Sequence, residues 1–155
     1  MTEHGVMAEN GETEELSLSS LDNIVGFHMR KAILKALSRV SKVAGRHVAT
    51  GQYSVMAIIE ENPGRTQSAI AEAAGLDRSS LVPILNQFEK NGLITRVPAA
   101  NDKRAYSVSL TDTGRQELKD LDALVKEIET NVIRGLGEKE HQHLIDLLKR
   151  YHSII

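Results

Sequence analysis

Between Thr66 and Gly92 the chain concentrates side chains that exchange hydrogen bonds: Thr66, Gln67, Arg78, Ser79, Ser80, Asn86, Gln87 and Lys90. Their types point to recognition rather than catalysis. Ser79 and Ser80 have no paired His and Asp, and the chain has no glycine-rich phosphate loop, so no enzyme activity is expected. An Arg fork bridges guanine, and an Asn or Gln amide bridges adenine. Carried on one helix from Arg78 to about Asn91, the groups from Arg78 to Lys90 would present hydrogen-bonding ends to a major groove about 12 Å wide, with Thr66 and Gln67 at the start of the helix before it. A second polar set follows in the loop Ala99–Arg104. Lys103 and Arg104 could reach a minor groove or its phosphates, and Asp102 suits the orienting of Arg104 or another nearby arginine. Pro83 stands inside the helix, where it removes a hydrogen bond and crowds the preceding turn. It either bends the helix or packs against phosphate or a thymine methyl.

These residues need a scaffold, and the pattern supplies one. The spacing predicts a helix from Ser19 or Ser20 to Ala44, with Ser20 as N-cap and Gly45 at its end. A second helix runs from about Gly51 to Glu61 and is stopped by Asn62-Pro63-Gly64. A short third helix, capped by Thr66, extends to Ala73. A tight turn at Ala74-Gly75-Leu76 leads to the helix capped by Asp77. Leu93–Pro98 and Ala105–Leu110 read as the two strands of a hairpin, with Tyr106, Val108 and Leu110 on its inner face. Thr111 caps a long helix to about Arg134, Gly135 and Gly137 break it, and a last helix spans about Glu138 to Tyr151. The expected fold is mainly α with a small β-hairpin: a winged helix-turn-helix at 51–111, flanked by helices at 18–50 and 112–155. Those flanking helices carry more apolar surface than the central unit can cover, which marks an interface and predicts a homodimer.

Composition sets the outer limits. The chain has 155 residues, 41% of them hydrophobic and 26% charged, which fits one globular domain at 18–155. No run of apolar residues is long enough for a membrane span. The first 15 residues hold five Glu and no Lys or Arg, unlike a secretory signal, so a cytoplasmic location is expected. Residues 1–17 read as a disordered acidic tail. There is no cysteine, which excludes disulfides, thiolate metal sites and thiol switches. Only five aromatic residues are present, too few for stacking along a single strand. The net charge of −2 is deceptive: five of the 21 acids lie in the tail, so the remainder carries 19 bases against 16 acids.

Two further groups bear on ligands. Lys31, Lys35, Arg39, Lys42 and Arg46 fall within about 80° of one another at helical periodicity, with no acid among them. This stripe is either a solvated face or a seat for an anion: DNA backbone, the acidic tail, or a phosphate such as that of coenzyme A. The histidines, including His141 and His143, show no metal-ligand spacing, and no metal or cofactor is expected.

The stretches TQSAIAEAAGLDRSSLVPILNQFEKNGLITR and NDKRAYSVSLTDTG resemble the MarR-type winged-helix repressors, and the likeness covers about Ser20 to Tyr151. The wing pattern of that family is matched by Asp102, Arg104, Leu110, Thr111 and Gly114. The resemblance implies a homodimer on a palindromic double-stranded operator, released by a small-molecule effector, often an aromatic carboxylate. GFHMRKAILKALSRV is similar to the branch that controls aromatic-acid catabolism through aryl-CoA thioesters. The family's ligand cleft would then be lined here by Phe27, His28, Met29, Arg30, Tyr53 and Met56, with Lys31, Lys35 and Arg39 nearby. The competing expectation is a winged-helix module that binds a protein partner and no specific DNA.

Overall fold

The computed structural model describes residues 17–99 and 102–155, with side chains at 17–99 and 106–155. All but the last residue of the tail expected at 1–17, and loop residues 100–101, lie outside the described residues. In chain order the elements are α1 (Val25–Ala44), α2 (Gln52–Glu61), β1 (Arg65–Thr66), α3 (Gln67–Ala73), α4 (Arg78–Lys90), β2 (Ile94–Ala99), β3 (Asp102–Leu110), α5 (Asp112–Leu136) and α6 (Glu138–Ile154). The chain divides after Leu34 into two compact units.

In the first unit the helix starts later than its apolar pattern suggests. Leu18–Leu21 and Leu21–Ile24 close as turns, and helical geometry begins only at Val25. Ser20 is therefore not the N-cap. His28 contributes to this start: its Nε2 donates to the Asp22 carbonyl at 2.8 Å, drawing the preceding segment back along the helix. A carbonyl only accepts, so Nε2 carries the proton.

In the second unit the core joins Val55, Met56 and Ile59 of α2, Ile70 of α3, Leu81, Leu85 and Phe88 of α4, and Val108 and Leu110 of β3. Leu121 of α5 is also wholly buried. Local capping explains why the helices begin where the sequence indicates. Thr66 Oγ1 accepts from the Ala69 amide, Asp77 from Ser80, and Thr111 from Gly114. Gly75, at φ 65°, supplies the left-handed residue that turns α3 into α4.

The sheet has three strands rather than the two of a hairpin. Its order is β1-β3-β2, antiparallel throughout. Arg65 pairs with Val108 and Thr66 with Ser107, so the base of the wing is tied to the residue that caps α3. β3 begins at Asp102, three residues before the strand expected from alternation, because Ala99 pairs with Asp102 across a bulge after Pro98. Tyr106 is exposed, unlike Val108 and Leu110 on the same expected face, because it stands beyond the reach of the core. α5 runs through Gly135 to Leu136, and Gly137, at φ 87°, ends it. α6 continues past Tyr151 to Ile154.

Candidate nucleic-acid interface

α4 has two faces. Leu81, Leu85 and Phe88 are buried, while Ser79, Pro83, Asn86 and Lys90 follow one another along the opposite, exposed side. Arg78, Ser80 and Gln87 are exposed on its flanks. Pro83 is thus on the outward stripe, and the helix passes through it without interruption.

Four polar side chains on this face and its flanks, Ser79, Ser80, Asn86 and Gln87, are held before any ligand arrives. Ser79 Oγ donates to Asp77 Oδ1 at 2.6 Å and Ser80 Oγ to Asp77 Oδ2 at 3.1 Å. The Ser80 amide also donates to Oδ1, at 2.7 Å. The Ser79 hydroxyl, then the Ser80 amide and hydroxyl, hold the Asp77 carboxyl below its ordinary pKa. With their protons engaged, both serines turn only lone pairs outward. Gln87 Nε2 donates to Asn91 Oδ1 at 3.2 Å. Asn86 Oδ1 accepts from Arg96 Nη2 at 2.9 Å, and Arg96 Nη1 lies 3.5 Å from Glu89 Oε2. The sequence reading omitted Arg96. Its signal was the period-2 alternation, which puts Arg96 on the same face of β2 as buried Ile94.

Thr66 and Gln67 are half-buried, and the Thr66 hydroxyl is occupied as the α3 cap. Asp102, Lys103 and Arg104 lie in β3 rather than in the turn. Their side chains, and hence the orienting and clamping roles expected of them, lie outside the described residues.

The expected effector residues fall into two sets. In the first unit, Phe27 and His28 meet edge-on at 5.5 Å between ring centroids, and Lys31 Nζ stands 5.3 Å from the Phe27 centroid. Met29 is half-buried and Arg30 exposed. In the second unit, Met56 is fully buried in the core, so it has no surface to offer a ligand. Tyr53 donates to Asp122 Oδ1 at 3.0 Å, and burial, then that bond, raises its phenol above the ordinary pKa. Lys126, then Tyr53, holds the Asp122 carboxyl low. Tyr53 borders an open cavity of about 300 Å³ with Glu60, Glu61, Arg115, Lys119 and Asp122. Arg115 is already paired with Glu60 and Asp112.

The basic stripe is not free of acids in the folded chain. Arg39 pairs with Glu127 at 3.3 Å and Arg46 with Glu117, both carboxylates belonging to α5. Arg46 also lies past the end of α1, so helical periodicity does not place it. Lys35 and Lys42 are exposed. Among the described residues, no three acidic or histidine side chains gather as a metal site, and no helix is long and apolar enough to cross a membrane.

A helix-turn-helix with a polar outward face, followed by a sheet that extends as a wing, defines a winged-helix DNA-binding protein. The MarR family model matches residues 50–106. Over 152 residues, covering 97% of this chain and 92% of the relative, the sequence is 34% identical to a proposed transcriptional regulatory protein for the hcr operon of Thauera aromatica. The chain belongs to the MarR family and is a DNA-binding transcriptional regulator. Among solved structures it is similar to the transcriptional repressor CouR bound to a 23-mer DNA duplex, with 29% identity and a TM-score of 0.77. That match covers 90% of this chain and 99% of the other. It is likewise similar to CouR bound to p-coumaroyl-CoA, with 29% identity, a TM-score of 0.74, and 89% and 98% coverage.

Proposed function

We propose that the protein is a homodimeric repressor released from a palindromic operator by an aromatic carboxylate or its CoA thioester. The observation that carries the DNA reading is the outward stripe of α4, where Asp77 holds Ser79 and Arg96 holds Asn86 rather than leaving them to rotate. Arg78, Ser79, Ser80, Pro83, Asn86, Gln87 and Lys90 meet the major groove. Lys103 and Arg104 clamp alongside, oriented by Asp102. Phosphate contacts supply most of the affinity and base contacts the specificity. The dimer is supported by exposed Leu136, Leu144, Leu147 and Ile154 in the second unit and by Leu21, Ile24, Ile33 and Leu34 in the first.

The effector reading is supported by CouR, whose solved complexes hold either DNA or an aryl-CoA thioester. Phe27, His28, Met29 and Arg30 offer an aromatic and polar surface in this chain, and Lys31 and Lys35 are cations suited to a phosphate. The cavity beside Tyr53 suits an anion poorly, since three carboxylates border it against two cations. A ligand that favours a dimer with its recognition helices away from the roughly 34 Å spacing of successive major grooves would release DNA.

The test is a fluorescence-anisotropy titration of the full chain into DNA from upstream of its own gene, with a scrambled duplex as control, at several salt concentrations. Specific, salt-sensitive binding that p-coumaroyl-CoA or a related thioester reverses is the expected result. Equal, weak binding to both duplexes would instead favour a winged-helix module with a protein partner.

A further inference from the structure

Asn86 sits in the middle of the outward stripe of α4, and its partner comes from another element. Arg96 stands on β2, where it pairs with the wholly buried Val108 of β3, so its backbone is fixed by the sheet and not by α4. Its side chain is 15% exposed, and the guanidinium lies between Asn86 Oδ1 and Glu89 Oε2. A guanidinium has five donors and no acceptor. The half of the Asn86 amide that faces it must therefore be the oxygen, and the NH2 is the half left free. An unbraced surface asparagine can turn its amide over and offer either half. Gln87, beside it, donates to Asn91 of the same helix end.

Resting on the major-groove reading above, we propose that Arg96 is a positioning residue that sets base specificity at one step of each half-site. By holding Oδ1, it makes Asn86 present donors to the groove. Asn86 then reads edges that carry acceptors: guanine O6 and N7, adenine N7, or thymine O4. Cytosine, whose major-groove edge offers the N4 amino donor, is rejected. Glu89 secures the guanidinium from its other side. The wing strand thus contributes to direct readout without touching a base.

The test is selection from randomised duplexes by the full-length dimer, followed by sequencing, for the wild type, Arg96→Gln, Arg96→Lys and Asn86→Asp. Asn86→Asp keeps an oxygen for Arg96 but turns the free half into an acceptor. The wild type should deplete cytosine at one base pair per half-site. Arg96→Gln should lose roughly tenfold discrimination at that pair and leave the other positions as they were. Arg96→Lys still donates to Oδ1 and should recover most of it. Asn86→Asp should shift the same position toward cytosine or adenine. Asn86 is exposed, so this last variant stays folded, which thermal unfolding checks. The proposal is overturned if Arg96→Gln weakens every sequence alike and Asn86→Asp leaves that position unchanged; Arg96 would then serve only the fold. A wild type that selects no sequence at all overturns this proposal and the major-groove reading together.

Discussion

Asp77 does two things with one carboxylate. It caps α4 through the Ser80 amide, and it takes the protons of the Ser79 and Ser80 hydroxyls. To donate to a phosphate, either serine must first leave Asp77. Asp77→Ala should lower the unfolding temperature by a few degrees through loss of the cap. The folded state holds this carboxyl below its ordinary pKa, so its contribution is complete above the ordinary value and disappears as pH falls through the lowered one. Thermal unfolding from about pH 7 to about pH 3 should therefore show the gap between wild type and Asp77→Ala narrowing toward the acid end. A gap that stays constant across that range would show that the carboxylate's charge is not what matters.

Elements meet at a tight junction where the sheet passes into α5. The Thr111 amide donates to the Leu93 carbonyl at 2.9 Å, and the Thr111 hydroxyl to the Gly92 carbonyl at 2.6 Å. Gly114 lies in the first turn of α5 against the same carbonyl. A Cβ there would stand 2.9 Å from the Leu93 carbonyl carbon and would run into its oxygen. Gly114→Ala must push α5 away from the sheet, and we expect a loss of about 2 kcal/mol or more in denaturant unfolding. A loss under about 0.5 kcal/mol would mean the junction yields freely. This junction also shows what a sequence can and cannot disclose. Thr66, Asp77 and Thr111 were readable as caps because a cap acts within three residues of itself. The late start of α1 was not, because His28 competes for a carbonyl six residues back. Strand β1 was missed because two residues carry no alternation, and its partner lies more than forty positions on. Arg39 and Arg46 read as unopposed cations because Glu127 and Glu117 approach them only through the tertiary fold. Helix α4 was legible almost in full, since its two faces repeat at helical spacing. Arg96 escaped notice because its role exists only once β2 lies beside α4.

For the whole molecule, the sum of charge misleads and its placement decides. Arg78, Lys90, Lys103 and Arg104 give four cations per subunit at the proposed DNA surface, eight in a dimer. If all release counterions, the logarithm of the binding constant should fall against the logarithm of salt concentration with a slope of about −7. Arg104→Ala removes two and should bring the slope to about −5, with the dimer intact by sedimentation. An unchanged slope would place Arg104 away from phosphate. The five glutamates before Leu18 do not enter this count, although they turn the chain's net charge negative.

The binding of β1 to β3 has a consequence for length. Because Thr66 is both a strand partner and the cap of α3, the wing starts from a fixed point on the reading head, and its arm becomes a ruler. β2 as a whole, from the buried Ile94 past Val97 opposite the tethered Ser107 to Ala99, measures about 17 Å at the usual strand rise. Half a turn of duplex, the step from a major groove to the minor groove beside it, is also about 17 Å. A hairpin two residues shorter on each arm would keep its in-and-out alternation yet fall about 7 Å short. Its footprint on DNA should contract at both outer edges while the inner half-site bases stay protected. The register of three short strands would then determine how many base pairs an operator must have.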